Sequence, residues 1–268
     1  MTSDQHNSHR ALLATCVAAA ARAAEIIRAG AANRGTLTWE EKSHTDFVSD
    51  VDRASEAAIA GIVRDRHPDA KLLAEEGSPV MDDRSGLVFV ADPLDGTTNF
   101  LHGVPWYAVS IAALVENEVV AGAILNPANG ELFTATKGGG ARKNGEPIRV
   151  SPITAPLRSL IATGFPFKGG PHVDEYLHML PRIMTETSGI RRPGAAALDL
   201  ADVACGRFEA FWELTLAPWD IAAGILLVRE AGGVITTLAG APCVVEHTGV
   251  VAGNPAMHAW LLERVGGA

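Results

Sequence analysis

Apolar residues recur at helical spacing near the start of the chain. They stand at Leu13, Val17, Ala20, Ala24 and Ile27. A period of about 3.6 residues places them on one face of a helix, so the chain is predicted to begin with an amphipathic helix. A strand is predicted over 36–41, followed by a helix over 51–66 with Ser49 as its N-cap and His67-Pro68 at its end.

Short apolar runs separated by turn residues follow, as expected of strands that are connected by hairpins. They cover 71–74, 87–91, 107–115, 119–125 and 132–136. Because these strands are consecutive, we expect antiparallel pairing, and Asn144-Gly145 predicts a further tight turn. Pro152 and Pro156 bracket the predicted boundary between an N-terminal α+β half, residues 1–152, and a C-terminal α/β half, residues 153–268.

Strand-like and helix-like segments alternate in the second half. Strands are predicted over 159–163, 189–191, 209–212, 234–236 and 250–252, and helices over 172–187, 195–205, 219–231 and 255–265. Such alternation is typical of an α/β fold.

The composition is that of an ordinary globular protein with an acidic balance. The chain has 268 residues, of which 47% are hydrophobic and 20% are charged, and its formal net charge is −9. Because phosphate backbones are bound by Lys and Arg, direct nucleic-acid binding is not expected. No apolar run reaches the roughly 18 residues of a transmembrane helix, so no membrane association is expected either.

The cysteines bear on the compartment. Cys16, Cys205 and Cys243 lie far apart and match neither a disulfide framework nor a zinc-site spacing, which favours the reducing cytoplasm. The alternative is a signal peptide over 11–21, but the helical pattern continues past any plausible cleavage point, so an N-terminal helix is the better interpretation.

One polar segment directly follows the predicted strand 87–91. It reads Asp92-Pro93-Leu94-Asp95-Gly96-Thr97-Thr98-Asn99. Open α/β sheets bind ligands at the carboxyl ends of their strands, where Asp92 and Asp95 are suited to a divalent metal. Pro93 is predicted to stop the strand, and Gly96 allows the next amides to face a phosphate. The alternatives are a simple turn and an aspartyl-phosphate phosphatase motif, but that motif has one residue between its aspartates and this segment has two.

Other carboxylates also stand where predicted elements begin or end. They are Asp46, Asp50, Asp52, Glu75, Glu76, Glu213 and Asp220. Each has a simpler interpretation as a helix cap or a solvated loop residue. If they share a cleft, however, each pair at about 4 Å repels by about 4 kcal/mol, so the cleft requires cations. Hard oxygen ligands without clustered His or Cys favour Mg²⁺ or Mn²⁺ over Zn²⁺.

Several segments, in this order and spacing, together carry a resemblance to one family. They are Asp46-Phe47-Val48-Ser49-Asp50-Val51-Asp52, Ala74-Glu75-Glu76-Gly77, residues 92–100, Trp219-Asp220-Ile221-Ala222-Ala223-Gly224 with Glu230-Ala231-Gly232-Gly233, and residues 191–199. The chain resembles the inositol monophosphatases, a branch of the lithium-sensitive, metal-dependent phosphatase superfamily that includes fructose-1,6-bisphosphatase. The resemblance covers essentially the whole chain and implies an α/β (α+β) fold, a layered αβαβα sandwich of the type shared by these two phosphatases.

The resemblance also implies a ligand set for two or three Mg²⁺ ions. Glu75, Asp92 and the carbonyl of Leu94 correspond to the first metal site. Asp92, Asp95 and Asp220 correspond to the second, so Asp92 bridges both ions. A third and looser ion in this family shares Glu75, and Mn²⁺ is the expected substitute for Mg²⁺.

Catalytic and phosphate-binding roles follow from the same resemblance. Thr97 and Asp52 correspond to the pair that orients the attacking water, and Glu75 positions or deprotonates that water. We therefore predict in-line attack of a metal-activated water on a phosphate monoester, without a covalent intermediate. The amides of Gly96 and Thr97 are predicted to bind the phosphate.

Substrate recognition is predicted at the alcohol side of the ester. By resemblance, Glu213 faces this part together with Gly194, Ala195 and Ala196, and Asp95 contacts it as well as the metal. A carboxylate such as Glu213 accepts hydroxyl hydrogen bonds from a polyol or pairs with the ammonium group of an amino alcohol.

The leading prediction is therefore a cytoplasmic, lithium-sensitive phosphatase that converts myo-inositol 1-phosphate to myo-inositol and phosphate. Histidinol phosphate and fructose 1,6-bisphosphate are the alternative substrates. A different class of function, also found among bacterial members of the family, is a regulatory protein associated with the transcription or RNA-processing machinery. The family commonly forms homodimers, so a homodimer is expected.

Overall fold

The computed structural model describes residues 3–37, 39–43, 46–77, 80–166 and 172–266. In these ranges the α-helices are α1 (Ser3–Ala32), α2 (Asp50–Arg66), α3 (Thr97–His102), α4 (Val173–Met184), α5 (Ala196–Ala204), α6 (Pro218–Glu230) and α7 (Pro255–Val265). Short 3-10 helices cover Arg34–Thr36 and Pro156–Arg158. None of the helices in the described ranges combines the length and the apolar character needed to cross a membrane.

The strands form a hairpin and two larger sheets. The hairpin pairs β1 (Trp39–Ser43) with β2 (Asp46–Ser49). The seven-stranded sheet runs in sequence order through β3 (Lys71–Ala74), β4 (Leu87–Asp95), β5 (Ala108–Val115), β6 (Glu118–Leu125), β7 (Leu132–Thr136), β8 (Gly140–Lys143) and β9 (Glu146–Pro147). The five-stranded sheet has the order β11-β10-β12-β14-β13, with β10 (Leu160–Thr163), β11 (Gly189–Arg191), β12 (Ala210–Leu216), β13 (Val234–Thr237) and β14 (Thr248–Gly253).

Three hydrophobic clusters define the layers of the molecule. One face of the seven-stranded sheet packs against α1 and α2. Its other face packs against α5 and α6, and the cluster formed there continues to the five-stranded sheet. The far face of the five-stranded sheet packs against α4 and α7. Within β4, Val88 and Val90 belong to one cluster and Phe89 to the other, because successive strand residues face opposite sides. The expected αβαβα sandwich is confirmed.

Most predicted elements are present, usually with their bounds shifted by one or two residues, but several predictions were wrong. The strand expected over 36–41 begins only at Trp39, after a 3-10 turn. Pro93 does not stop β4, because the strand continues to Asp95 through a bulge that removes the need for a ladder donor at the proline. The first sheet is not purely antiparallel, since β3 pairs parallel with β4.

Helix α6 lies between the two sheets and brings the second half of the chain to the end of β4. Ten of its residues are buried, which fits a helix that is apolar on all sides. The Ser110 hydroxyl of β5 donates to the Trp219 carbonyl at 3.3 Å and ties the first turn of α6 to the sheet. Asp220, in that first turn, is therefore held beside the bulge of β4.

Candidate metal centre and active site

Three carboxylates from distant parts of the sequence converge at the end of β4. Asp92 and Asp95 come from the bulged end of the strand, and Asp220 comes from the first turn of α6. Each offers an oxygen atom that lies within 4.8 Å of the other two. Asp92 is buried, whereas Asp95 and Asp220 are partly exposed to the adjoining cavity. The sheet and the central helix layer thus build one acidic cluster.

Backbone amides fix the orientation of each carboxylate. The amide of Leu94 donates to Oδ1 of Asp92 at 2.9 Å. The amide of Ala197, at the start of α5, donates to Oδ2 of Asp95 at 2.8 Å, and that of Ala217 donates to Oδ2 of Asp220 at 2.7 Å. These neutral donors hold the side chains without neutralising their charge.

The electrostatics of the cluster favour a cation. Burial, together with the charges of Glu75, Asp95 and Asp220, raises the pKa of Asp92 well above its usual range. Burial and the charge of Asp220 likewise raise the pKa of Asp95. Carboxylate and carbonyl oxygens are the donors that Mg²⁺ and Mn²⁺ prefer, so the residues present fit such an ion.

These shifts predict how the stability of the metal-free protein depends on pH. The folded-state pKa of Asp92 and Asp95 lies above the ordinary value of 3.8, so the folded protein holds protons that the unfolded chain has released. Their contribution to the free energy of unfolding is complete below about pH 3.8 and is lost as the pH rises through the folded-state pKa values. We expect Mg²⁺ to reverse this loss, because it binds the ionised carboxylates of the folded state.

Urea unfolding over a series of pH values above 3.8, with EDTA or with saturating Mg²⁺, measures this effect. Stability should fall more steeply with pH in EDTA than in Mg²⁺. Equal slopes in the two conditions would contradict the prediction.

Glu75 follows β3 and lines the same cavity. The turn that carries it is held by Glu56, a buried residue of α2. Its Oε2 accepts the amide hydrogen of Glu76 at 2.7 Å, and its Oε1 accepts that of Gly77 at 2.7 Å. Sequence reasoning missed Glu56, although its position four residues after Asp52 places both side chains on one face of α2.

A Glu56→Gln variant is expected to weaken metal binding. The amide side chain accepts one of the two backbone hydrogens and turns its own N–H groups toward the other, so the turn that presents Glu75 loosens. Loss of a partner that orients a ligand costs about tenfold or more in metal affinity. The measurement is the Mg²⁺ concentration at half-maximal thermal stabilisation. Asp65→Asn, which makes the same charge change at an exposed site of α2, should leave that concentration unchanged.

Thr97 and Asp52 are hydrogen-bonded neighbours beside the cluster. The Thr97 hydroxyl lies 2.9 Å from Oδ1 of Asp52 and 3.0 Å from the Leu94 carbonyl, and its single hydrogen bonds to one of these acceptors at a time. Oδ2 of Asp52 accepts from the Ser49 amide at 2.9 Å and from the Ser49 hydroxyl at 2.5 Å. Ser49 is the N-cap of α2, as predicted, and it locks Asp52 in place.

The segment after Asp95 is tied to the second half of the chain. Gly96 has φ 87°, and a Cβ there would stand 3.0 Å from the Trp106 carbonyl, so the position requires glycine. The Asn99 side chain donates to the carbonyls of Trp106 at 2.7 Å and Pro193 at 2.9 Å. This tie places the loop of Gly194 against the start of α3.

A cavity of about 800 Å³ opens beside the acidic cluster. Its lining includes these residues singled out from the sequence: Glu75, Asp92, Leu94, Asp95, Gly96, Thr97, Gly194, Ala195, Ala196, Glu213 and Asp220. Asp52 is not among the lining residues, because it is completely buried behind Thr97. The side chain of Asp46 lies outside the described residues, and Asp50 is exposed on α2.

Glu213 enters the cavity from within β12, not from the end of a strand as the sequence suggested. Its carboxyl group occupies the space in front of Gly164. A Cβ at Gly164 would come within 2.0–2.2 Å of the carboxyl atoms of Glu213, so only glycine leaves room for this conformation.

Several cavity residues were not predicted as site residues. Those with charged or aromatic side chains include Phe165, His172, Arg192, Asp199 and His247. Arg192 and Asp199 lie in segment 191–199, which carried part of the family resemblance. That resemblance was the sequence feature that could have pointed to them as site residues. The other three follow strands or loops that come together only in the folded chain.

Comparison with known proteins identifies the class that this fold and acidic site define. The sequence profile described as "Inositol monophosphatase family" matches residues 9–267. The chain belongs to the inositol monophosphatase family, whose members are hydrolases of phosphate monoesters and are generally Mg²⁺-dependent.

Individual relatives span nearly the full chain. An inositol-1-monophosphatase of Mesorhizobium japonicum is 42% identical over 255 residues, 95% of this chain and 96% of its own. A protein of Pseudomonas aeruginosa named Nus factor SuhB is 41% identical over 258 residues, 95% of each chain. Among solved structures, the extragenic suppressor protein SuhB of Bartonella henselae has a TM-score of 0.91 and 41% identity and covers 96% of this chain and 99% of its own. An IMPase of Thermotoga maritima has a TM-score of 0.83 and 31% identity, covering 93% of this chain and 94% of its own.

Proposed function

We propose that this protein hydrolyses a small phosphorylated polyol, with myo-inositol 1-phosphate as the leading substrate. The observation that carries the proposal is the convergence of Asp92, Asp95 and Asp220, from both halves of the chain, on a cavity that also receives Glu213. The acidic cluster is suited to metal ions and a phosphate, and Glu213 offers a carboxylate to the alcohol.

Two Mg²⁺ ions would be held by these residues. Glu75, Asp92 and the Leu94 carbonyl would form one site, and Asp92, Asp95 and Asp220 the other, with a third and looser ion sharing Glu75. When bound, the ions supply positive charge that polarises the phosphoryl group and stabilises the leaving alkoxide. Asp92, which is buried within the cluster, would be the residue that both sites share.

The remaining groups act on the water and the phosphate. Thr97, bonded to the fixed carboxylate of Asp52, would orient the attacking water, and Glu75 would assist in removing its proton. The amides of Gly96 and Thr97 would donate to the phosphate oxygens. Attack in line with the leaving oxygen needs no covalent intermediate.

Glu213 would face the alcohol part of the ester together with Gly194, Ala195 and Ala196. Its carboxylate accepts hydroxyl hydrogen bonds, and Asp95, a member of the acidic cluster that lines the same cavity, would contact this part as well as the metal. The alternative substrates are histidinol phosphate and fructose 1,6-bisphosphate.

A substrate panel tests the proposal. Phosphate release from these three esters is measured with and without Mg²⁺, and kcat/KM is compared. We expect Mg²⁺-dependent turnover with the highest kcat/KM for myo-inositol 1-phosphate. A folded protein that binds Mg²⁺ and releases no phosphate from any of them would refute the function, while a preference for another ester would correct the substrate.

We propose association with the transcription machinery as a second function, because the Pseudomonas aeruginosa relative is named a Nus factor. The acidity of the chain favours protein contacts over direct RNA binding. An affinity pull-down with wild type and the Asp92→Asn variant is the test. Recovery of transcription proteins by both would support a role independent of catalysis, and recovery by neither would oppose it.

We also propose a homodimer. Helix α4 exposes Val173, Leu177 and Met184 along one side, with exposed fractions of 45%, 54% and 57%. An apolar stripe of this kind is typical of a surface that a partner covers. Sedimentation at micromolar concentration measures the oligomeric state, and a monomer there would overturn the proposal.

A cytoplasmic location is the last part of the proposal. All three cysteines are free thiols, and Cys16 and Cys243 are buried. Free thiols are what a reducing compartment maintains.

A further inference from the structure

Asp199 is buried at the wall of the cavity, and one of its carboxyl oxygens has no hydrogen-bond partner in the part of the chain that the structure describes. Asp199 lies in the first turn of α5, is 1% exposed and lines the cavity. Its Oδ1 is fully buried and has no hydrogen-bond partner among the described residues. Burying a carboxyl oxygen without a donor is costly, so an unpaired one in a ligand cavity indicates a group that receives a hydrogen from the ligand.

The next carboxylate on the same helix provides a contrast. Asp202 is 2% exposed, but its Oδ1 accepts from Arg207 at 2.9 Å. Asp202 is therefore paired inside the protein, away from the cavity lining, as buried charges normally are. Two aspartates one helical turn apart thus have opposite environments, and only Asp199 faces the cavity.

The surroundings of Asp199 show which ligand group it would meet. Glu213, held in front of Gly164, is in electrostatic range of Asp199 and lines the same cavity. The guanidinium of Arg192 is also in electrostatic range of Asp199. Asp199 and Glu213 thus place two carboxyl groups in the lining of one cavity, where each can accept a hydrogen bond from a hydroxyl group.

We propose that Asp199 is a substrate-positioning residue that accepts a hydrogen bond from one hydroxyl of the polyol leaving group. Glu213 would accept a hydrogen bond from a neighbouring hydroxyl. The inference rests on the proposed function and goes beyond it, since it assigns a second acceptor for the hydroxyl groups of the leaving alcohol. Two acceptors from different elements, α5 and β12, fix the rotation of a ring that carries several hydroxyls.

The test compares an ester that carries hydroxyls with one that lacks them. kcat and KM are measured for myo-inositol 1-phosphate and for p-nitrophenyl phosphate in wild type, Asp199→Asn and Asp199→Leu. We define the ratio as kcat/KM for myo-inositol 1-phosphate divided by kcat/KM for p-nitrophenyl phosphate. This ratio is expected to fall about tenfold in Asp199→Leu, because the leucine side chain has no hydrogen-bond acceptor. Most of the fall should come from a higher KM for myo-inositol 1-phosphate. Asp199→Asn keeps one neutral acceptor and should fall in the same direction by less.

Asp202→Asn is the matched control, since it removes a buried carboxylate of the same helix that faces away from the cavity. It should lower the unfolding temperature and leave the ratio unchanged. Asp199→Asn should not lower that temperature, because Oδ1 of Asp199 has no hydrogen bond to lose among the described residues.

An unchanged ratio in both Asp199 variants, in an enzyme that hydrolyses both esters, overturns the inference alone. So does a ratio that falls equally in Asp202→Asn. A wild type that hydrolyses neither ester refutes the proposed function, and the inference falls with it. If Asp199→Leu does not fold, the ratio in Asp199→Asn decides.

Discussion

An Asp92→Asn variant is expected to lose about 1,000-fold or more of kcat while remaining folded. Asp92 is the buried centre of the acidic cluster, and its pKa is raised by burial and by Glu75, Asp95 and Asp220. An amide of the same shape keeps the packing but removes the charge that would be shared by two ions. A loss of about 4 kcal/mol of transition-state stabilisation corresponds to this factor.

The same substitution should stabilise the metal-free protein. It removes one of several like charges that repel within the cluster, so the unfolding temperature in EDTA should rise. In Mg²⁺ the order should reverse, because the wild type gains binding energy that the variant cannot.

Phosphate release and thermal unfolding on the same samples measure both effects, and Asp202→Asn serves as the control because its carboxylate pairs with Arg207 outside the cluster. Turnover retained in Asp92→Asn would remove it from the proposed metal site.

Thr97→Val is expected to lower kcat about 100-fold with little change in KM. The substitution preserves the shape of the side chain and deletes the hydroxyl that lies 2.9 Å from Asp52 and 3.0 Å from the Leu94 carbonyl. A positioned proton-transfer group contributes about 100-fold or more, and its loss appears in kcat because the group acts on the water and not on the substrate. Thr97→Ser restores the hydroxyl and should recover most of the rate.

A double-mutant cycle with Asp52→Asn separates a shared role from independent ones. If Thr97 and Asp52 act as one unit, the double variant should be about as slow as the slower single variant. Losses that multiply would show that the hydrogen bond between them is incidental to the reaction. Circular dichroism checks the fold, since Asp52 also accepts two hydrogen bonds from Ser49 at the start of α2.

Much of the fold follows from local patterns in the sequence. The strands at 71–74 and 132–136 and the helix at 255–265 have the predicted bounds, because apolar runs and clear turn residues coincide there. The strand through Pro93 does not follow from local pattern. A proline is tolerated there only because a bulge shifts the register between Asp92 and Asp95, and a bulge is a property of the pairing with β5 that the residues of β4 do not reveal by themselves.

The residues of the candidate site also fall into those that the sequence indicated and those that it did not. The segments that contain Asp92, Asp95 and Asp220 could be singled out from the sequence because acidic residues stand at element ends and the segments resemble a known family. Glu56 and Asp199 were not singled out, since each lies within a helix, where an acidic residue ordinarily faces solvent. Only packing shows that both are buried and that Glu56 holds the turn of Glu75.

The most direct test of the acidic cluster as a two-metal centre is anomalous diffraction from crystals equilibrated with Mn²⁺. Two anomalous peaks about 3.5–4 Å apart, both in contact with Asp92 and flanked by Glu75 and Asp220, are the expected result. No peak among these carboxylates, or peaks that do not contact Asp92, would contradict the account.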